Sequence, residues 1–274
     1  MSIYSGKKVL ITGASAGIGY ALSEELAKRG SEVIITARRK GKLEALAQKI
    51  EDAGGKAHIF VEDLSLPESG IKLYNQIKSA GLNVDILINN AGYGRWGELT
   101  SYERDDYSKM LQLNVTTLTD LCHLYITDMV AQGGGGIINV GSMASLSPIP
   151  YASVYSSSKA YVLMFSEAIR YEYQDKEIKV MALLPGGTES EFASVATEKS
   201  EKLTKRNQER EGSAAGGAMQ TSLEVAVECL EAFEKNKQYF LCGGRNRFLY
   251  NLTRIMSRQR VLEMTGRMFK KIAG

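Results

Sequence analysis

Short apolar runs and longer stretches with helical spacing alternate along most of the chain. The short runs are rich in β-branched residues, which is typical of strands buried on both faces. They predict seven strands, at Val9–Ile11, Glu32–Thr36, His58–Val61, Ile86–Ile88, Ile137–Val140, Val180–Leu184 and Tyr239–Leu241. Strands that alternate with helices favour a parallel sheet whose right-handed connections place helices on both faces. The pattern therefore predicts an α/β fold with a doubly wound parallel sheet of about seven strands.

Length and composition limit what the protein can be. A chain of 274 residues with 44% hydrophobic content has enough apolar side chains for one large core. Its formal net charge of +3 is too small for a general nucleic-acid binder, so we expect no nucleic-acid partner. No apolar run in the sequence approaches the roughly 18–20 residues that cross a bilayer.

The N-terminus, the cysteines and the histidines indicate the compartment and the chemistry. A first strand that begins close to Lys7 is expected to leave no room for a signal peptide. Cys122, Cys229 and Cys242 are scattered and odd in number, which is typical of reduced thiols in a cytoplasmic protein. With two histidines and no metal-ligand spacing, the sequence predicts no catalytic metal.

A glycine-rich turn follows the first strand. The run TGASAGIG (residues 12–19) lies between the apolar run Lys8–Ile11 and a helical pattern over Tyr20–Arg29. Such a turn brings backbone N–H groups and a helix N-terminus against a diphosphate. Its spacing, Gly-x-x-x-Gly-x-Gly, differs from the dinucleotide-binding spacing Gly-x-Gly-x-x-Gly. The position between strand and helix therefore indicates a diphosphate site more strongly than the glycines alone.

Tyr155 and Lys159 are four residues apart in a predicted helix and share one face of it. An ammonium beside a phenol favours the charged phenol, so we expect Lys159 to lower the pKa of Tyr155. Bringing a phenol from about 10 to about 7 takes on the order of 4 kcal/mol, more than one partly solvated lysine supplies. Further positive charge is therefore expected beside the phenol. The same spacing is also common on solvated helices.

Six motifs along the chain resemble those of the short-chain dehydrogenase/reductase family, in the family's order and spacing. They are TGASAGIG at 12–19, Asn89-Asn90-Ala91-Gly92, Asn114 within Gln112–Val115, Ser142, the pair Tyr155 and Lys159, and Pro185-Gly186-Gly187-Thr188. The resemblance covers almost the whole chain. It implies a Rossmann-type sheet and hydride transfer between a nicotinamide and a carbonyl or alcohol carbon.

The resemblance also assigns a catalytic set. Tyr155 would be the general acid, and Lys159 would hold the ribose hydroxyls and lower the pKa of the tyrosine. Ser142 would orient the carbonyl, and Asn114 would bind a water in a proton relay. Taken alone, Asn114 also fits an ordinary helical surface residue, and Ser142 also fits a turn hydroxyl at a strand end.

Residues at the strand ends are predicted to bind NADP(H) in preference to NAD(H). Ala37 stands where an acidic residue would bind a ribose 2′-hydroxyl, whereas Arg38, with Arg39 as a second contact, suits a 2′-phosphate. A solvated basic loop is the alternative. The full cofactor set implied by the resemblance is Gly13, Ser15, Gly17, Ile18, Gly19, Arg38, Arg39, Asp63, Leu64, Asn90, Gly92, Tyr155, Lys159, Gly186 and Thr188. Asp63 also fits a turn cap, and Thr188 also fits a helix N-cap.

Substrate contacts are expected after Thr188. Residues 189–221 are rich in charge, Ala, Ser and Gly and match the family's substrate-covering lid. The expected pocket residues are Phe192, Val195 and Met219 of this segment and Tyr93, Trp96, Met143 and Ile149 elsewhere. Packing in the core explains each of these residues equally well.

The C-terminal region departs from shorter family members. We expect one dehydrogenase domain over residues 1–244 and a basic amphipathic extension over 245–274, which carries eight basic residues against one acid, Glu263. Packing within the chain or against a neighbouring subunit is favoured for the extension. Closure of the substrate pocket and peripheral contact with an anionic membrane remain alternatives. The resemblance implies a homodimer or homotetramer.

The expected function is NADPH-dependent reduction of a ketone, or the reverse oxidation of a secondary alcohol. Resemblance to the tail-extended branch of the family suggests a bulky apolar substrate, such as a 3-oxoacyl or steroid-like compound. A non-catalytic NADP(H)-binding sensor or scaffold is the main alternative. The sugar-nucleotide epimerase branch shares the Tyr155–Lys159 pair but normally carries a larger C-terminal domain.

Overall fold

A parallel sheet forms the centre of the protein. The computed structural model describes residues 2–192, 196 and 219–273. The strands are β1 Lys8–Thr12, β2 Glu32–Ala37, β3 Lys56–Val61, β4 Ile86–Asn89, β5 Gly135–Val140, β6 Ile178–Leu184, β7 Thr188–Glu189, β8 Gln220–Thr221 and β9 Tyr239–Leu241. Seven of them build the main sheet in the order β3-β2-β1-β4-β5-β6-β9, and all its pairs are parallel. The predicted seven-stranded parallel sheet is confirmed.

Helices cover both faces of this sheet. They are α1 Gly17–Lys28, α2 Lys40–Asp52, α3 Ser69–Ser79, α4 Arg104–Leu111, α5 Leu118–Ala131, α6 Ser153–Tyr173, α7 Ser222–Glu234, α8 Gly244–Arg254 and α9 Arg258–Ala273. Successive strand residues point to opposite faces, so Val9 and Ile11 pack with α1, α2 and α7. Leu10, between them, packs with α3, α5 and α6 on the other face. The predicted helical layers on both faces are therefore confirmed.

The strand order reverses between β1 and β4. From β1 the chain moves outward through β2 to β3, and it then returns to β4 on the other side of β1 before moving through β5 and β6 to β9. The connections at the carboxyl ends of β1 and β4 therefore run in opposite directions and leave a crevice between them. The glycine-rich turn follows β1, and the Asn90–Gly92 segment follows β4, so both motifs lie at this crevice.

The sequence missed two features of the strands. β5 begins at Gly135, two residues before the predicted start, because glycine is a poor strand former. Glycine is needed there because a Cβ on Gly136 would lie 2.6 Å from the ring of Phe233. The short parallel pair of β7 and β8 was also not predicted. Most of the predicted lid (189–221), including Val195, lies outside the described residues.

The C-terminal helix α9 contacts the loop that precedes α6. The hydroxyl of Thr265 donates to the carbonyl of Pro148 at 3.3 Å, and a Cβ on Gly266 would lie 3.3 Å from the Pro150 ring. The ring of Phe269 meets that of Trp96 edge-on, with centroids 5.9 Å apart. The extension therefore makes contacts within the chain. Across the described ranges, each helix is too short or too polar to cross a membrane.

Candidate active site

The glycine-rich turn is tied to the end of β4 by Thr12 and Asn90. The Thr12 hydroxyl accepts the N–H groups of Asn90 and Ala91 at 3.0 and 2.9 Å, and the Asn90 amide donates to the Thr12 carbonyl at 2.8 Å. Gly13 has a φ of +70°, and a Cβ there would lie 2.9 Å from the Ala91 backbone. The turn after β1 therefore requires glycine for its conformation and for its close contact with the neighbouring loop.

The first turn of α1 is suited to an anion. Its N-cap residue, Ala16, has no side chain that could accept the first N–H groups, and the first turn contains no acidic residue. The positive end of the helix is thus available to an external negative charge. Ser15 lies beside it and accepts hydrogen bonds from the Arg39 guanidinium at 3.0 and 3.2 Å. This arrangement fits the predicted diphosphate site, and it brings Ser15, Gly17, Ile18 and Gly19 together.

Two arginines lie at the open end of the same crevice. The side chain of Arg38 is 68% exposed, and its guanidinium is 3.8 Å from Asp63. Arg39, besides its bonds to Ser15, forms an ion pair with Glu191 at 2.7 Å. Both guanidinium groups therefore lie at the surface beside β2 and the glycine turn, where a 2′-phosphate could reach them.

Asp63 has the geometry of a turn cap. One of its carboxylate oxygens accepts from the backbone N–H and the hydroxyl of Ser65 at 3.0 and 2.6 Å. The neighbouring Leu64 is buried, and its carbonyl accepts the hydroxyl of Thr117 at 2.9 Å. The turn-capping alternative for Asp63 is therefore present in the structure, while its second oxygen faces Arg38.

Tyr155 and Lys159 lie in the first half of α6 and are both buried, with 8% and 4% of their surface exposed. The Lys159 ammonium donates to the Val140 carbonyl at 2.8 Å, and a Cβ on Gly92 would lie 3.2 Å from its nitrogen. A Cβ on Gly94 would likewise lie 3.2 Å from the Tyr155 ring. Both side chains therefore face the segment that follows β4, and glycine at 92 and 94 leaves room for them.

Burial changes the pKa values of both groups. Burial raises the pKa of Tyr155 to about 12, opposed only in part by its hydrogen bond with Ser142. Burial lowers the pKa of Lys159 to about 8. The expectation that Lys159 lowers the pKa of the phenol is therefore wrong for the protein alone. The loss of hydration dominates, and the ammonium is directed to a backbone carbonyl.

Ser142 begins a short 3₁₀ turn at the end of β5. Its hydroxyl accepts the N–H of Ala144 at 3.1 Å and forms the hydrogen bond with Tyr155. Ser145, which the sequence analysis did not select, accepts the N–H of Ser142 at 3.2 Å and donates to the carbonyl of Lys159 at 2.7 Å. Ser145 therefore links the turn to α6. The Ser142-x-x-Ser145 spacing, which resembles a capping box, could have indicated it.

Asn114 is 1% exposed and lies in a π-helical turn, Gln112–Thr117, between α4 and α5. Its amide donates to the Tyr93 carbonyl at 2.9 Å and to the Ser158 hydroxyl at 3.1 Å, and its oxygen accepts the Tyr93 N–H at 3.2 Å. A Cβ on Gly92 would lie 3.0 Å from that oxygen and 3.2 Å from the Lys159 nitrogen. The structure therefore brings Asn114 and Lys159 together, and Asn114 is not a surface residue.

A series of aromatic rings extends from Tyr155. The ring of Phe192 lies 5.5 Å from that of Tyr155 and 6.4 Å from that of Trp96, which in turn meets Phe269. Phe269 was not selected from the sequence, because its contact with Trp96 joins residues distant in the chain. The rings form a continuous apolar wall from α6 to α9.

The other predicted pocket and loop residues are more dispersed. Tyr93 and Ile149 pack in the cluster that contains Tyr155, whereas Met143 packs in a separate cluster behind β6. Met219 is exposed. Gly186 lies against the side chain of Asn246, and the Thr188 hydroxyl donates to the Gly186 carbonyl at 3.2 Å.

No group of three or more histidine, cysteine or acidic side chains among the described residues is arranged to hold a metal ion. The polar groups assembled at this end of the sheet are hydroxyls, the Asn114 amide, the Lys159 ammonium and two arginine guanidinium groups. They suit the binding of an anionic cofactor and the transfer of a proton.

Known proteins share both the sequence pattern and the fold. The very-long-chain 3-oxoacyl-CoA reductase of Bos taurus is 29% identical over 203 residues, which cover 69% of this chain and 62% of the bovine protein. The human 17-beta-hydroxysteroid dehydrogenase type 3 is 37% identical over 183 residues, or 66% of this chain and 58% of the human protein. The chain thus spans less than two thirds of the length of these relatives.

A solved structure extends the similarity to three dimensions. The short-chain dehydrogenase from Sphingobium yanoikuyae in complex with NADPH has a TM-score of 0.77 and 28% sequence identity, covering 88% of this chain and 91% of that one. The sequence model of the short chain dehydrogenase family matches residues 7–201, which include the glycine-rich turn and the Tyr155–Lys159 pair. This chain belongs to the short chain dehydrogenase family.

Proposed function

We propose that the protein is an NADPH-dependent carbonyl reductase, or in the reverse direction an alcohol dehydrogenase, acting on a ketone or secondary alcohol with a bulky apolar group. One observation carries this proposal. Asn114, Ser142, Tyr155 and Lys159, which come from three separate elements, converge at the carboxyl end of the sheet beside Gly92 and Gly94.

The buried phenol of Tyr155 is the proton donor of the reaction. Its raised pKa of about 12 keeps it protonated at neutral pH, and Ser142 orients its hydroxyl. NADPH, when bound, would supply the hydride to the carbonyl carbon. Tyr155 gives its proton to the carbonyl oxygen, so the product is an alcohol and the residue is left as a tyrosinate.

Lys159 restores the proton and stabilises the tyrosinate. An ammonium with a pKa of about 8 is acidic enough to return a proton to a phenolate that titrates higher. Asn114, whose amide bridges the Tyr93 backbone and Ser158, lies beside the Lys159 nitrogen. We assign Asn114 the task of holding a water through which Lys159 is reprotonated from solvent.

Residues near the carboxyl ends of β1, β2 and β4 would hold the cofactor. The glycine turn and the first turn of α1 suit the diphosphate, since no side chain caps that helix end by a hydrogen bond. Arg38 and Arg39 suit a 2′-phosphate, because guanidinium groups bind phosphate oxygens in pairs. The similarity to a structure in complex with NADPH supports this choice. Lys159 would also bind the ribose.

The substrate class rests on the apolar wall and on the relatives. Phe192 and Trp96 face the Tyr155 side of the pocket and offer no charged partner to a substrate. The names of two relatives refer to a very-long-chain 3-oxoacyl-CoA and to a 17-beta-hydroxysteroid. Both compounds carry large apolar parts, which supports a bulky apolar ketone as the substrate of this chain.

We also propose a homodimer or homotetramer in the cytoplasm. Exposed apolar side chains lie on α4 and on the outer part of α6: Leu111, Tyr161, Met164 and Tyr171. A surface of this kind is common at subunit interfaces. In our proposal, residues 1–244 form the dehydrogenase domain, 189–221 its lid and 245–274 an extension.

Tyr155→Phe tests the proposed reaction. NADPH oxidation is followed across a panel of small and bulky ketones with the original protein and the variant. Loss of the donated proton should lower turnover by roughly 10²–10⁴-fold. NADPH affinity, measured by fluorescence titration, should change little. Tyr161→Phe, which removes a hydroxyl bonded to Thr119, is the matched control and should remain active.

Two outcomes would reject the proposal. Unimpaired turnover in Tyr155→Phe would remove the proton donor from the mechanism. Tight NADPH binding by the original protein without oxidation by any ketone, and without reduction of NADP by any alcohol, would favour the non-catalytic sensor instead.

A further inference from the structure

The outer faces of α8 and α9 carry large apolar side chains exposed to solvent. Phe248 and Leu252 on α8 and Ile255, the C-terminal cap of this helix, follow at i, i+4 and i+7 and form one stripe, with 64%, 44% and 85% of their surface exposed. On α9, Met264 and Met268 are one turn apart and are 46% and 53% exposed. Contiguous exposed apolar surface of this kind marks a binding face.

Basic side chains border both apolar stripes. Arg245, Arg254, Arg258, Arg260 and Arg267 are exposed, and none of these five forms an ion pair with another described residue. Arg260 and Arg267 lie four residues before and three residues after Met264, so they share its helix face. Residues 245–274 contain eight basic residues and one acidic residue. Within the part of the chain that the structure describes, the charge of this surface is therefore largely uncompensated.

We propose that the apolar stripes of α8 and α9 and their arginines form a lipid-facing surface. This surface binds an anionic membrane. Apolar side chains on a basic amphipathic helix enter the headgroup region, while arginines bind the lipid phosphates. A second copy of the chain fits the surface less well, because symmetric pairing would bring the uncompensated positive charges together.

A second side of α9, about 100° around the helix from Met264 and Met268, faces Pro148 and Trp96. Thr265 and Phe269 contact Pro148 and Trp96, while Met264 and Met268 point outward. A molecule docked through the outer face would hold the aromatic wall close to the bilayer. Apolar ketones partition into bilayers, so docking would place the pocket beside a reservoir of substrate, a consequence that rests on the proposed function.

Vesicle co-sedimentation of the full chain tests the surface directly and does not depend on activity. Phosphatidylcholine vesicles with phosphatidylserine should bind the protein, and pure phosphatidylcholine vesicles should bind it far less. The double variant Arg260→Glu/Arg267→Glu should lower partitioning by roughly tenfold or more, since each basic residue near an anionic surface contributes about a fivefold factor. Added salt should weaken the binding.

Matched variants separate a docking surface from general effects. Lys28→Glu/Lys176→Glu has the same net charge as the arginine variant, and both of its lysines are exposed outside the extension. Phe248→Ser/Ile255→Ser removes the apolar stripe, and Leu66→Ser/Ile71→Ser removes exposed apolar groups elsewhere. Only the variants of the extension should lose binding, while turnover of a water-soluble ketone stays unchanged.

Three results would overturn the proposal. They are equal binding to neutral and anionic vesicles, equal loss in the extension variants and their controls, and a change of oligomeric state without lipid in Phe248→Ser/Ile255→Ser. The last result would assign the surface to a second copy of the chain. Because the readout is binding, failure here would leave the proposed reaction untouched.

Discussion

Two parts of the protein are attached to it in different ways. One is the buried polar site around Asn114 and Lys159, and the other is the C-terminal helix α9. Asn114 and Lys159 are almost fully buried, and their polar atoms are bonded to backbone and side-chain partners. In contrast, the described side chains of α9 attach it through the Thr265 hydroxyl on the Pro148 carbonyl, the ring contact of Phe269 with Trp96 and the buried Val261. The adjoining α8, all of which is described, has no fully buried side chain.

This difference separates two tasks. Groups that must hold a proton in one position are surrounded by the sheet and α6, where few alternative rotamers fit. The element that shapes the outer pocket is lightly attached, so it can change without disturbing the sheet. We therefore expect substitutions in the buried polar site to affect stability and turnover, and substitutions in α9 to affect substrate binding.

The largest effect is expected in the buried polar site, where Lys159→Met should change the pH dependence of the free energy of unfolding. Lys159 titrates near 8 in the folded protein and near 10.5 in the unfolded chain. Between these values the unfolded chain binds more protons, so the stability contributed by the original lysine rises with pH. At pH 7 the free energy of unfolding should therefore be higher for the methionine variant than for the original protein. This difference should fall by about 3 kcal/mol between about pH 7 and 10.5.

Urea denaturation of the cofactor-free proteins measures this change. The matched control is Lys28→Met, at an exposed lysine, which should show no such trend. The comparison is made as a difference because the buried thiols of Cys122 and Cys242, with pKa values raised to about 12, also make stability depend on alkaline pH. A difference that stays constant with pH would mean that Lys159 is not desolvated.

The open end of the crevice should respond less strongly. Arg38→Ala should lower the preference for NADPH over NADH, measured as the ratio of kcat/KM values, by roughly tenfold, the lower end for a charge-assisted hydrogen bond. The modest size follows from the 68% exposure of the Arg38 side chain, since water competes for the phosphate. Lys40→Ala removes a neighbouring exposed cation and is the control. Equal losses in both variants would indicate a general charge effect.

The smallest effect is expected in the covering helix. Phe269→Ala removes the edge-on contact with Trp96, so KM for a bulky apolar ketone should rise about 3–10-fold, the value of one aromatic pair. The kcat should stay nearly constant, since Asn114, Tyr155 and Lys159 are unchanged. Phe248→Ala is the control, because this phenylalanine is 64% exposed on α8. A fall in kcat without a change in KM would contradict the separation of tasks.

The sheet and the central residues were predictable because local patterns determine them. Buried parallel strands appear as apolar runs, and both Val9–Ile11 and Ile86–Ile88 proved to be strands that pair at the crevice. Tyr155 and Lys159 share a helix face by spacing alone. The connection order then places the segments after these strands at one edge of the sheet.

The sequence could not predict features that depend on distant contacts. The pKa of Tyr155 follows from its complete burial and from the direction of the Lys159 ammonium toward Val140, neither of which local spacing contains. The contact of Phe269 with Trp96 joins residues that are distant in the chain. Ser158 is a hydrogen-bond partner of Asn114, and serine is too common for its position to be informative.

The π-helical turn at Gln112–Thr117 makes the length of this segment as important as its composition. A π turn holds one more residue than an α-helical turn, and each residue rotates a helix by about 100°. Loss of a single residue there would restore regular winding and rotate the Asn114 amide away from Tyr93 and Ser158. A one-residue deletion in the turn would therefore move Asn114 away from Lys159 even if every remaining side chain were kept.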